Sequence, residues 1–75
     1  MNKQRRKDID RLKNLINTLK DDLENILNDE QDYFDNMPEN LQGSLRGEES
    51  EDAISNMEDA IENLSDAIES LEEVV

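Results

Sequence analysis

The sequence predicts an all-α protein: an antiparallel two-helix coiled-coil hairpin, expected to dimerise into a four-helix bundle. Three observations predict it. Residues 51–75 read EDAISNM, EDAIENL, SDAIESL and EEVV, one seven-residue unit three times and the start of a fourth. Ile54, Ile61, Ile68 and Val75 recur at the a position, with Met57, Leu64 and Leu71 at d. A second heptad runs through residues 3–34, with Ile9, Ile16 and Leu23 at a and Leu12, Leu19, Ile26 and Tyr33 at d. Pro38, Gly43 and Gly47 fall between the two patterns and nowhere else.

The first helix is placed at about residues 3–35. Good helix formers dominate it, and no Pro or Gly interrupts it before Pro38. At ~1.5 Å per residue it would be roughly 50 Å long. Its seam lapses once, at Glu30, where a buried carboxylate is costly unless paired or near the wet end of the bundle. Residues 36–47 form the connector. Pro38 disfavours the α conformation at Met37, Asn36 is positioned to cap a short turn starting near Pro38, and the two glycines could take a left-handed backbone. The second helix is expected at about 48–75, beginning between Leu45 and Ser50. Glu48, Glu49, Glu51 and Asp52 suit the positive end of its dipole.

Helices of similar length with a short connector fold back on each other, making residues 1–75 one domain. In one register the residue numbers of facing positions sum to 80: Leu12 with Ile68, Ile16 with Leu64, Leu19 with Ile61, Leu23 with Met57, Ile26 with Ile54. A second register sums to 87 and sets Glu30 against Met57. The first is favoured because Glu30 then meets Ser50, polar against polar. It also brings Lys7 level with Glu73 and Arg11 with Glu69. Such exposed pairs are worth only ~0–1 kcal/mol each, so their role would be to select the antiparallel arrangement.

Charge separates along the chain. Eight basic residues against 21 acidic give −13. Seven of those eight bases lie in residues 1–20, leaving Arg46 alone among 19 acids thereafter. That field repels nucleic-acid phosphates and anionic lipid and attracts basic protein surfaces. Neither nucleic acid nor membrane is therefore an expected direct partner. No run of ~18 apolar residues exists to span a bilayer, and MNKQRRKDID lacks the apolar core of a secretory signal. The expected compartment is the cytoplasm.

Chemistry is sparse. With no His and no Cys, disulfides, common zinc sites and the usual nucleophile–base pairs are excluded. Asp29, Glu30, Asp32 and Asp35 cluster without the Gly and Glu spacing of a calcium loop. The chain is expected to be no enzyme, with no cofactor, no metal and no catalytic residue. What the sequence offers is surface. Leu15, Leu27, Phe34, Ala53, Ala60, Ala67 and Val74 widen the stripe beyond what one hairpin covers. Self-association through a seam including Ile16, Leu23, Ile54, Ile61, Leu64 and Ile68 is the leading expectation, giving a homodimer; docking of another protein is the other. Candidate partner contacts are Phe34 with an acidic rim of Asp32, Asp35, Glu39 and Glu48, arranged as an aromatic anchor within polar residues. The plainer reading of Phe34 is a plug closing the end of the bundle.

The string YFDNMPENLQGS, followed by acidic heptads built on AI and L, resembles a group of short acidic proteins from bacteriophages and mobile elements of Firmicutes. In that group a basic first helix, a PENLQ-type connector and a repetitive acidic second helix span the chain. The resemblance implies a phage or mobile-element origin and no assigned activity. It leads to the expectation of an interaction protein that binds and inhibits or modulates a host protein with a basic surface. One form is nucleic-acid mimicry directed at a nucleic-acid-binding defence factor. A structural or assembly component of a phage particle is the alternative.

Overall fold

A computed structural model describes residues 1–74. The chain is a helical hairpin: α1 spans Lys3–Asp35, α2 is the single turn Glu39–Gln42, and α3 spans Leu45–Glu72. Among the described residues none is a strand. The whole is a rod with extents of 58 × 15 × 12 Å. The expected a position at Val75 lies outside the described residues.

Local chemistry sets the helix ends. The Asn2 side chain accepts from the Arg5 backbone N–H (2.8 Å), capping α1. Asn36 acts at the other end, correcting the expectation that it starts the connector's turn. It is the C-cap of α1, its Nδ2 donating to the Asp32 carbonyl (2.8 Å). Ser44 caps α3, accepting from the Gly47 N–H, so this helix begins at Leu45 and takes Glu48 into its first turn. Gly47 therefore lies inside α3. Neither glycine has a positive φ. Gly47 is needed for closeness: a Cβ there would collide with the Gln42 carbonyl oxygen. Gln42 fastens the connector in turn, its Nε2 donating to the carbonyls of Phe34 (3.1 Å) and Met37 (3.3 Å).

The register is anchored by one interhelical hydrogen bond. Ser50 Oγ donates to Glu30 Oε2 at 2.7 Å, and Ser50 is 4 % exposed. Polar thus meets polar at the position where the sum-80 register puts it. The carboxylate at the lapsed a position has a partner, as its partial burial requires.

The seam itself departs from a simple a/d pattern. On α3, a and d face inward: Ile54 and Ile68 are buried, and Met57, Ile61, Leu64 and Leu71 are half-buried. On α1 the half-buried rows are Ile9, Ile16, Leu23 and Glu30 at a, with Lys13, Lys20, Leu27 and Phe34 at e. The d residues Leu12, Leu19, Ile26 and Tyr33 are exposed, with Leu15. Relative to expectation α1 is turned about its axis toward its e side. Lys13 and Arg6 line one depression with Glu72 of α3 and Val74 just beyond it, so basic side chains sit at an acidic helix C-terminus that has no base of its own. The apolar stem of Lys13 lies along the seam while its ammonium pairs with Asp10 on its own helix (3.5 Å). The expected levelling of Lys7 with Glu73 and Arg11 with Glu69 yields no ion pair across the helices. With the seam at a and e, f and c positions on α1 point away from α3.

No α1 residue is fully buried. The buried apolar residues are Met37, Ile54 and Ile68, each 8 % exposed. Six expected seam residues, Ile16, Leu23, Ile54, Ile61, Leu64 and Ile68, thus lie between the chain's own two helices. The large apolar residues left over are on another side of α1.

Candidate functional site

The hairpin has two unlike open faces. On one, the e and b rows of both helices meet. Phe34 and Gln31 line a depression of about 210 Å³ with Glu51, Ile54, Ser55 and Glu58. Phe34 is half-buried there, its ring in a depression shared with buried Ile54. The candidate contact residues scatter around it. Asp32 stands two positions earlier on α1, nearly on the opposite side of the helix. Asp35 is exposed and accepts from Gln31 Nε2 (3.0 Å). Glu39 opens α2 and Glu48 lies in the first turn of α3, both exposed. The carboxylates that line its depression are instead Glu51 and Glu58. Their seven-residue spacing on the e row was visible in the sequence, but which row faces Phe34 depends on how α1 is turned.

This arrangement gives Phe34 features of both plug and anchor. Phe34→Ala is expected to destabilise the hairpin by about 2 kcal/mol, below the 3–5 typical of a fully buried ring. Thermal melting at fixed concentration checks this. An unchanged melting temperature would leave the ring only a contact role.

The acids of α3 are segregated by row. Nine of its ten occupy b, e and f: Glu48, Glu51, Asp52, Glu58, Asp59, Glu62, Asp66, Glu69 and Glu72. All nine are exposed. The c row reads Glu49, Asn56, Asn63 and Ser70, and the g row Arg46, Ala53, Ala60, Ala67 and Val74. One long side of the rod is therefore a dense carboxylate surface. The side carrying the alanines is close to uncharged.

That second face continues onto α1. Tyr33 lines a depression with Arg46, Glu49, Ser50 and Ala53, so the d row of α1 borders the g row of α3. Leu12, Leu15, Leu19, Ile26 and Tyr33 stand here between 43 and 59 % exposed. Tyr33 thus flanks the seam, where the heptad placed it inside, and Phe34 takes the inner position.

Among the described residues no group of three or more His, Cys, Asp or Glu could hold a metal ion. A concavity of about 600 Å³ is lined by Asp66, Glu69, Ser70, Glu72 and Glu73, all from one end of the acidic helix and its cap. Among the described residues no helix is long and apolar enough to cross a membrane. No family model matches the chain, and neither a curated protein nor a solved structure matches it.

Proposed function

We propose that this chain is a small interaction protein of phage or mobile-element origin that binds and inhibits or modulates a host protein in the bacterial cytoplasm. The observation that carries this reading is the sorting of α3's carboxylates onto b, e and f, all exposed on a straight rod. Rows of carboxylates on a rigid helix present to a basic groove what a phosphate backbone presents, and the attraction would be long-ranged and salt-sensitive. A nucleic-acid-binding defence protein is the kind of target this fits. The chain acts as a homodimer, because one hairpin leaves a stripe of large apolar residues uncovered.

The test is capture of host proteins on the immobilised chain, followed by competition with duplex DNA. Release by DNA and by moderate salt is the expected result. Replacing Glu58, Glu62 and Glu69 by Gln should weaken capture by about tenfold or more, since each exposed charge contributes up to ~1 kcal/mol. Captured proteins that bind no nucleic acid would rule out mimicry and leave a general inhibitor.

A further inference from the structure

The geometry points to a second copy of this chain as what covers the Leu/Ala face. The two-fold axis runs along the rod, and α1 of each copy lies across α3 of the other. The inference rests on the self-association just proposed and assigns it a face and an arrangement.

Four observations carry it. First, α1 turns its more apolar row outward. The inward e row holds Lys13 and Lys20, while the outward d row holds Leu12, Leu19, Ile26 and Tyr33. A hairpin folding alone would gain more by burying the d row. Second, the face is where charge has been withdrawn from α3. Two copies each at −13 repel each other except through such a surface, whereas a basic partner would find its carboxylates on the other side. Third, the size fits. A face about 58 Å by 15 Å offers on the order of 800 Å², about what each partner of a standard stable interface buries.

The fourth observation is complementarity of size and level. An axis along the rod preserves height, so facing residues of the two copies follow the register fixed within one copy by Glu30 and Ser50. Each large d residue of α1 then meets a small g residue of the other copy's α3 at the same level. Leu12 falls on Ala67, Leu19 on Ala60 and Ile26 on Ala53, each pair summing to 79. Tyr33 falls on Arg46, a cation over an aromatic ring. One like-charge pair arises, Asp29 with Glu49, at the wet rim. The other two-fold axis, across the rod, would stack α3 on α3. That helix carries ten acids against one base, while α1 carries nine against seven. The axis along the rod surrounds each α3 with the less acidic helix and avoids that contact.

Two measurements test the proposal. Light scattering at tens of micromolar should give twice the 8.7 kDa chain mass. Leu19→Glu should raise the dimer dissociation constant at least about 30-fold, the scale of a hot-spot loss. Asn14→Glu, at an exposed position on the far side of α1, should leave it unchanged. Leu19 is 59 % exposed in the hairpin, so unfolding of its Glu variant would itself show that the hairpin depends on this face. Spin labels on Lys7→Cys, an exposed outer position, report the axis. An axis along the rod keeps both labels at one end, within roughly 30 Å given helix spacings of 8–10 Å. An axis across the rod separates them by roughly 40 Å. A monomeric wild type overturns the self-association reading and this inference together. A dimer indifferent to Leu19→Glu overturns the face alone, and a long label distance overturns the axis alone.

Discussion

Ile54→Asp is expected to unfold the hairpin. Ile54 occupies the a position one turn after Ser50 and is one of three buried apolar residues among those described. It stands behind Phe34 in the same depression and next to the layer in which Ser50 holds Glu30. Losing the isoleucine removes about 1.5–3 kcal/mol of burial. A carboxylate in its place adds a desolvation cost of several kcal/mol, and Glu30 nearby opposes its ionisation. A helical domain this small has only ~3–5 kcal/mol in hand. The two losses together exceed that. Far-UV circular dichroism should show the helical signal collapse at 25 °C. Ile54→Val, which deletes one methyl group, should cost only about 0.5–1.5 kcal/mol and keep the fold. Ile61→Asp, at a half-buried a position, should be damaging for the same reason and less so. A folded Ile54→Asp variant would mean that the seam is not what holds the helices together.

The seam was legible because heptads are a local signal. Ile54, Ile61 and Ile68 and the row Ile9, Ile16 and Leu23 are read at fixed spacing without knowledge of the fold. The Glu30–Ser50 pairing followed from the same arithmetic. Which flank of α1 faces inward was not legible. Both d and e border the a row, and hydrophobicity alone favours d. The choice depends on what stands opposite, far away in the chain; with e inward, Lys13 and Arg6 line a depression with Glu72 at the acidic end of α3. That one rotation exchanged the roles of Tyr33 and Phe34. Asp32 is separated from Phe34 by something else: two positions along one helix put their side chains about 200° apart, which the spacing alone already implied. The row segregation of the carboxylates was present in the sequence as Asn56, Asn63 and Ser70 at seven-residue spacing. It acquires meaning only once the c row is known to border the open Leu/Ala face.

Gly47→Ala should lose about 2–3 kcal/mol, although helix propensity predicts the opposite. Gly47 lies within α3, and an exposed helical Gly replaced by Ala ordinarily gains about 0.8–1.0 kcal/mol. Here an added Cβ meets only backbone: the Gln42 carbonyl oxygen, its carbon at 2.5 Å and the Gln42 Cα at 2.7 Å. No rotamer change relieves such contacts, so the connector must move or α3 must lose its first turn. Moving Gln42 pulls its amide from the carbonyls of Phe34 and Met37, and Met37 is part of the small buried set. Overpacking of this kind costs ~1–3 kcal/mol before those bonds are counted. Gly43 is the control in the same segment. An added Cβ there meets nothing within 4 Å, and its φ of −86° suits any residue. Gly43→Ala should gain about 0.4–1 kcal/mol by restricting the unfolded chain. Thermal melts at one protein concentration, because association shifts the midpoint, should place the variants on opposite sides of the wild type. At ~4–8 °C per kcal/mol for a domain of this size, Gly47→Ala should melt at least about 8 °C lower. If it melts with the wild type, the approach of Gln42 to α3 is looser than the structure has it. The connector would then contribute nothing to fixing where the second helix begins.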